Sequence, residues 1–421
     1  MLNKLSCIIP VYNGEEYLEK TFSCLKRQTY RDFELIIIND ASDDKTDKII
    51  EHFMSVIQQR IIYIRNDSRL GAAKSRNLGL AKATGEYVIF LDADDIYYQG
   101  LFEQSINAIE QDKADMVVFG YEKYNYSTKE VSRVLYEKRC YVDRNDIILW
   151  RMLDNVPWNK VVRKKLLEEH QIYFQDIPSN NDIFFSFVCG LTSKKIVFIN
   201  DMLIRYVWKR PASLTLTRER KNYVAEAYYE IYNYIEKNKY SLEIKREFIN
   251  FLLDTYQRFL ISIVDNKELT KQASDKFVRL FLNDSFFARE LEQETIYAHN
   301  RAFLQALENG KTLQIHNKYD YYWETIKTII EDRKKEEKKI ALWGAGKLGR
   351  DLLQVLNCKK IFLNGVIDKN VNKQGVEFEG YIVESCQAAV NYDVFIITNV
   401  GIKDEIKQLV GEKEVINCDT L

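Results

Sequence analysis

Residues 86–95 read EYVIFLDADD. Four apolar residues, Val88, Ile89, Phe90 and Leu91, run without a break into three carboxylates, Asp92, Asp94 and Asp95. A short unbroken apolar run suits a strand covered on both faces, as in a parallel sheet. The acids at its end repel one another, and each costs desolvation if it is covered. A cation between them, or a donor such as a sugar hydroxyl, would relieve both costs. A polar turn whose last acid, Asp95, caps the next helix accounts for the stretch as well.

The flanking sequence chooses between these readings. Residues 1–121 alternate strand and helix signals with short turns, the pattern of a mostly parallel α/β sheet. LSCIIP, FELIII, RIIYIR, YVIFL and DMVVFGY are expected strands. EEYLEKTFSCLKRQ, DDKTDKIIEHFMSVI, AAKSRNLGLAKA and GLFEQSINAIEQ are expected helices, the third ending at Gly85. The first four strands end in Pro10-Val11-Tyr12-Asn13, in Asn39-Asp40-Ala41-Ser42, in Asn66-Asp67 leading to Gly71, and in Asp92-Ala93-Asp94-Asp95. In a parallel sheet the strand C-termini share one edge, where ligands bind at the switch in strand order. The four polar ends are therefore expected to converge on one crevice.

Residues 122–220 are less regular, with short helices expected at DIILWRML and FFSFVCGL and strands at KKIVFI and MLIRYVW. From 221 to 335 the pattern is amphipathic and helical, as in NYVAEAYYEIYNYIEKN and REFINFLLDTYQRFLISIV. The charge run RKKEEKK (Arg333 to Lys339) reads as a solvated linker or helix end, and a fresh strand-turn-helix, KIALWGAGKLGRDLLQVL, sets a boundary near 338. There Gly344, Gly346 and Gly349 form a G-x-G-x-x-G between strand and helix, and Asp368 ends the next strand near the spacing of a ribose contact. Three regions are expected: 1–220, a helical 221–337, and a Rossmann-like 338–421. The glycines serve either a dinucleotide or close helix–strand packing. The first reading would make the chain an NAD-dependent oxidoreductase, but no catalytic segment for redox chemistry follows.

Bulk properties narrow the class. At 421 residues the chain is too long for one core, since domains average roughly 150 residues. With Lys+Arg 61 against Asp+Glu 62, nothing points to nucleic acid. Seven scattered cysteines without a CxxC fit thiols in a reducing cytoplasm rather than disulfides or zinc. The first residues carry no signal-peptide pattern, and no apolar run is long enough to span a membrane. A count of 27 Tyr could serve sugar binding, but a low-GC genome enriches Tyr without any function.

IIPVYN, IIINDASDD, NLGLAKATGEY and IFLDADD, followed by PWNKVVRKKLL, SNNDIFF and RYVWKRPASLT, resemble in order and spacing the family 2 nucleotide-sugar glycosyltransferases of the GT-A fold, over roughly residues 5–217. The resemblance implies an α/β fold with a mixed, mostly parallel sheet flanked by helices. It also implies an inverting transfer from a UDP-sugar to a hydroxyl of a bacterial surface glycan, lipid-linked or glycoprotein acceptor. On that pattern Asp40 accepts the uracil N3–H, while Pro10, Val11 and Tyr12 wall the base pocket. Asn13, Asn66, Gly71, Arg76 and Ala93 lie along the donor. Asp92 holds the ribose or the metal through water, and Asp94 ligates Mn²⁺ or Mg²⁺ directly. Asp182 is the base, although the usual Glu-Asp pair is here Asn181-Asp182. Asn180, Asn181 or Asp182 could instead cap the helix that follows. Trp158, Asn159 and Lys160 lie near the acceptor, although Trp158 could equally be core, and Arg210 and Ser213 contact diphosphate or acceptor, although Arg210 could equally be a surface residue. A non-catalytic nucleotide- or sugar-binding scaffold is the remaining alternative. The helical middle could touch a membrane, pair with a second copy in a homo-oligomer, or merely join two domains.

Overall fold

A computed structural model of the chain describes residues 4–136, 139–142, 153–208, 223–263, 266–282, 323–358, 360–397 and 403–417. It divides into two compact units, Met1–Lys245 and Arg246–Leu421. Arg210, Ser213 and most of the expected helix DIILWRML lie outside the described residues.

The first unit is built on strands β1 (Leu5–Val11), β2 (Phe33–Asn39), β3 (Ile61–Arg65) and β4 (Tyr87–Phe90), which pair in parallel in the order β3-β2-β1-β4. Every residue of β1, β2 and β4 is buried, which is why these strands read as unbroken apolar runs rather than alternating ones. Strand order reverses between β1 and β4, so the crevice falls where Tyr12 and Asp92 leave the sheet. Beyond β4 the sheet turns mixed. β9 (Lys160–Arg163) lies antiparallel between β4 and β6 (Met116–Asn125). β10 (Lys195–Trp208) then pairs in parallel with β6, and β5 (Ile96–Tyr97) closes the far side. The two stretches KKIVFI and MLIRYVW thus form one strand of 14 residues, its pairing shifted between Ile199 and Ile204.

Helices α1 (Leu18–Lys26), α2 (Thr46–Val56), α3 (Ala72–Lys82) and α4 (Leu101–Gln111) link the strands. α3 lies tight on β1, because a Cβ on Gly79 would sit 2.4 Å from Ile8 Cγ2. It ends at Lys82 rather than Gly85. The buried Glu34 accounts for the early stop: its carboxylate accepts the Thr84 N–H at 2.7 Å and the Ser6 hydroxyl at 2.7 Å, pulling Thr84 out of helical geometry. Asp95 does not cap α4 either. Gly100 stands at that position, while Asp95 Oδ1 accepts the Val207 N–H of β10 at 2.8 Å.

α5 (Lys164–Glu169), α6 (Asp182–Thr192) and α7 (Val224–Lys237) complete the unit. α6 is buried from Ile183 to Thr192, as an apolar-all-round sequence requires. It packs on α7, with Phe184 edge-on to Tyr234.

The second unit contains α8 (Leu242–Ser262, begun in the first), α9 (Lys267–Phe277) and α10 (Trp323–Lys335), then a sheet ordered β13-β14-β12-β11-β15-β16. β11 (Ile340–Trp343), β12 (Gly365–Ile367), β14 (Tyr381–Glu384), β15 (Val394–Ile397) and β16 (Glu414–Asn417) are parallel, and β13 (Glu377–Phe378) pairs antiparallel at the edge. α11 (Lys347–Cys358) and α12 (Lys403–Val410) flank it. The charge run is a helix end, and part of it is tied down: Arg333 grips both carboxylate oxygens of Glu414, at 2.7 and 2.8 Å.

Candidate functional site

The loops that leave β1 and β2 are sewn to one another. Asn13 N–H donates to Ser42 Oγ, Asp43 N–H donates to Asn13 Oδ1, and Gly14 N–H donates to Thr46 Oγ1. Asn13 and Ala41 take the left-handed conformation, with φ 49° and 60°. For Ala41 that costs roughly 1–2 kcal/mol, which the surrounding bonds must hold.

Asp40, at the end of β2, is almost fully buried and gathers the loop before α3. Its Oδ1 accepts Asn66 Nδ2 and Leu70 N–H, and its Oδ2 accepts Gly71 N–H, each at 2.8 Å. Gly71 has φ 90°, which explains the glycine. A carboxylate offers about four acceptor positions, so three such donors leave room for one more N–H. Pro10 and Val11, expected to wall the base pocket, are buried within β1, and Val11 belongs to the core cluster. Tyr12, just past β1, is half-buried, and the guanidinium of Arg69 lies over its ring at 3.9 Å. Sequence reasoning passed over Arg69; its only signal there was a cation in the loop between Asn66 and Gly71.

At the end of β4, Asp92 Oδ1 accepts Arg76 Nη2 at 2.6 Å, and its carbonyl accepts the hydroxyl of buried Tyr97. The Ala93 carbonyl accepts Thr21 Oγ1 at 2.5 Å, and Ala93 itself packs in the core. Asp94 is half-buried beside them. Among the described residues no group of three or more His, Cys, Asp or Glu could hold a metal ion. The strand end offers two carboxylates, a hard-oxygen set suited to Mg²⁺ or Mn²⁺ arriving with a diphosphate that completes the coordination.

Arg76 of α3 joins the two sides of the crevice. Besides Asp92, its Nη1 donates to Asn181 Oδ1 at 3.3 Å, and its guanidinium lies 5.2 Å from the Phe174 ring. Its Nε is buried without a hydrogen-bond partner among the described residues. Asn181 occupies the N-cap position of α6 but makes no side-chain capping bond, because its amide is turned to Arg76. Asp182 follows as the first helical residue. Burial pushes its carboxyl up to about 6, against the pull of Arg76; Asp92 adds to the rise and Lys160 opposes it.

Trp158, Asn159 and Lys160, expected near an acceptor, are buried, Trp158 in the core as the alternative reading had it. They are 2%, 0% and 1% exposed. Trp158 stacks on Tyr206 and meets Tyr121 edge-on. Asn159 Nδ2 donates to Tyr136 Oη, and its carbonyl accepts the Phe119 N–H. Lys160 Nζ is spent on the carbonyls of Asp154 and Val156 and on Asn159 Oδ1.

In the second unit Gly344 has φ 112°, and a Cβ on Gly349 would sit 2.1 Å from the Gly344 carbonyl oxygen, whereas one on Gly346 would meet nothing. Asp368 Oδ2 accepts Ala345 N–H at 2.7 Å and Lys373 Nζ at 3.1 Å, and Oδ1 accepts Asn370 N–H at 2.8 Å. The acid expected to reach a ribose therefore holds its own glycine loop.

Comparison with known proteins agrees with this geometry. Residues 336–418 match the family model "C2185-like, N-terminal". Glycosyltransferase GlyG of Streptococcus pneumoniae is 26% identical over 232 residues, covering 52% of this chain and 75% of that protein. Glycosyltransferase GlyA of the same organism is 28% identical over 218 residues, and the poly(ribitol-phosphate) β-N-acetylglucosaminyltransferase TarS of Staphylococcus aureus 25% over 210. Those matches cover 48% and 49% of this chain but only 30% and 36% of the relatives. The crystal structure of TarS residues 1–349 in complex with UDP-GlcNAc superposes with a TM-score of 0.63 at 18% identity, over 76% of this chain and 92% of that one, a likeness of fold. Residues 6–171 match the model for glycosyl transferase family 2, and this stretch, which carries the strand ends at Asp40 and Asp92, is a domain of that family.

Proposed function

We propose that the chain transfers a sugar from a UDP-sugar to a hydroxyl of a bacterial surface glycan or glycoprotein, with inversion and with a divalent cation. The solved relative TarS was crystallised with UDP-GlcNAc, which supports a UDP-sugar donor. No helix among the described residues is long and apolar enough to cross a membrane. We place the reaction in the cytoplasm, where UDP-sugars are at hand.

The observation that carries this reading is Arg76. One guanidinium binds the strand-end acid Asp92 and the residue beside Asp182, so donor and acceptor sides meet within one side chain's reach. On this reading uracil occupies the Tyr12 side of the crevice, its N3–H on the remaining acceptor position of Asp40. The diphosphate lies toward Asp92, Asp94 and the unfilled Nε of Arg76. Mn²⁺ or Mg²⁺, held by Asp94 and Asp92, supplies Lewis-acid stabilisation of the leaving diphosphate. Asp182 takes the proton of the acceptor hydroxyl as its oxygen attacks the sugar C1 from the face opposite the diphosphate. The C1–O bond to UDP breaks, UDP leaves with the bonding pair, and the anomeric configuration inverts. A base whose carboxyl sits near 6 is mostly ionised at neutral pH yet basic enough to accept that proton.

UDP release measured across a panel of UDP-sugars, with and without Mn²⁺, tests the proposal. Release from at least one donor, dependent on the cation, is the expected result. Binding of UDP with no turnover of any donor would leave a scaffold and sink it. Stabilisation by NAD(H) alone in a thermal-shift titration would sink it too.

A further inference from the structure

We infer that Arg69 clamps the base of the donor: uracil slides between the Tyr12 ring and the Arg69 guanidinium and is stacked from both sides. The inference rests on the reading that sets uracil beside Tyr12 and Asp40. Its starting point is an arginine whose donors are unspent. Arg69 is exposed, and its guanidinium lies over the Tyr12 ring at 3.9 Å. Among the described residues no hydrogen bond and no ion pair engages its N–H groups. A cation is thus parked on the face of the one aromatic ring at the mouth of the donor crevice.

The strand ends fix where that happens. Val11 pairs with Asn39 across β1 and β2, and Asp40 N–H donates to the Val11 carbonyl at 2.8 Å, so Tyr12 and Asp40 leave the sheet side by side. The Tyr12 carbonyl accepts the Tyr17 hydroxyl at 3.0 Å, and the next residue, Asn13, is tied to Ser42, which holds the backbone under the ring. Arg69 comes from the loop after β3. The strand order β3-β2-β1-β4 sets that loop and the acids after β4 on opposite sides of Tyr12. The guanidinium therefore approaches the ring from the base end of the crevice, away from Asp92 and Asp94.

The loop has the build of a clamp. Asn66 N–H donates to the Asn39 carbonyl at 2.8 Å, and Asp40 accepts Leu70 N–H and Gly71 N–H at 2.8 Å each. Asp67, Ser68 and Arg69, between these anchors, are exposed. The backbone is pinned at both ends, while no hydrogen bond holds the Arg69 side chain down. Stacked planes stand about 3.5–4 Å apart, so admitting a base requires the guanidinium to withdraw by about that much. The single contact with Tyr12 is then replaced by two, ring on base and base on guanidinium. A planar, weakly hydrated cation suits the second. The carboxylate that meets the edge of the uracil is also the one that anchors the clamp on its face.

The experiment uses the full chain and compares Arg69→Ala and Arg69→Lys with the wild type. Titration calorimetry with Mn²⁺ reads the affinities for UDP, UMP and inorganic pyrophosphate, and UDP release gives donor KM and kcat. Arg69→Ala should weaken UDP and UMP by the same factor, about five- to 30-fold, and leave pyrophosphate binding where it was. The loss should appear in donor KM rather than in kcat, because the clamp touches no reacting atom. Lys keeps the charge but not the plane, so it should recover only part of the loss. Unchanged UDP affinity in Arg69→Ala makes the ring contact a surface one and overturns the inference. Tighter UDP binding would mean that the arginine only blocks the ring, and a loss shared by pyrophosphate that it serves the phosphates; either overturns it. A wild-type chain that binds neither UDP nor UMP fails earlier, at the reading of the donor site itself.

Discussion

Asp40 and Asp368 do the same thing in two different sheets. Each follows a parallel strand beside the first strand of its unit, and each carboxylate holds a loop turned by a positive-φ glycine, Gly71 in one case and Gly344 in the other. The surroundings differ. Near Asp40 the edge also carries Asp92 and Asp94 from the end of β4, Arg76 from α3 and Asp182 from the start of α6, with one acceptor position left open on Asp40 itself. The Asp368 carboxylate also accepts three donors, but one of them is the ammonium of Lys373, which matches its charge, and the Gln374 amide donates to the Asp368 carbonyl. A strand-end acid at the right spacing is thus first a loop-building device. It becomes a candidate ligand group where other charged side chains share the edge, rather than where a neighbouring ammonium such as Lys373 already matches it.

The largest effect that could break this contrast is expected at Asp94. If the first unit differs from the second by holding a cation with its diphosphate, Asp94→Ala should abolish transfer and leave the thermal midpoint near the wild-type value. UDP release in Mn²⁺ checks it, and full activity in that variant would erase the difference between the units. Asp182→Asn comes next, with a loss of about 10²- to 10⁴-fold in kcat, the usual worth of a general base. Its stability should move the other way. Burial raises this carboxyl to about 6, so the folded chain binds more protons than the unfolded chain between about pH 4 and 6. Stability contributed at this site therefore falls as pH rises through that window. Asn removes the penalty, so the variant should melt higher than the wild type at about pH 8 and equally at about pH 4. A midpoint lowered at both pH values would mean that Asp182 is there to hold the helix.

Much of this was legible in the chain itself. The parallel strands announce themselves through unbroken apolar runs because both of their faces are covered. The convergence of Tyr12, Asp40, Asn66 and Asp92 follows from one rule about strand ends. What was not legible depended on partners distant in sequence. Thr84 leaves its helix because Glu34, fifty residues earlier, accepts its N–H. Asp95 binds Val207 across 112 residues, and no local pattern carries that. Lys160 reads locally as a polar residue in PWNK, a natural surface contact; only the burial of β9 between β4 and β6 encloses it.

Smaller effects separate the two aspartates. Asp40→Asn replaces one acceptor oxygen by an NH₂ that must face either Gly71 N–H or the pair from Asn66 and Leu70. Leaving a buried donor unmet costs about 1–3 kcal/mol. The loop should loosen, UDP affinity should fall by about five- to 150-fold, and any preference for UDP over CDP should disappear, since Asn can accept from one base and donate to the other. Titration calorimetry with both nucleotides reads this directly. A variant that binds UDP as tightly as the wild type would show that Asp40 only builds the loop.

Asp368→Asn makes the same chemical change against Ala345 N–H, Asn370 N–H and Lys373. The local penalty should be of the same order, because each change sets an NH₂ against a loop N–H, and Asp368→Asn also gives up the ion pair with Lys373. Amide hydrogen exchange should therefore quicken around residues 344–350, where the loop feeds α11. UDP affinity and transfer rate should stay at wild-type values, since none of the acids proposed to hold the donor lies in that loop. The two variants make the same chemical change beside a positive-φ glycine and differ in the Lys373 ion pair of Asp368, so loss of UDP binding in the first alone would show that a ligand uses that strand end. A loss of transfer in Asp368→Asn without faster exchange would point to a ligand on Asp368 after all, and the contrast between the two sheets would fall.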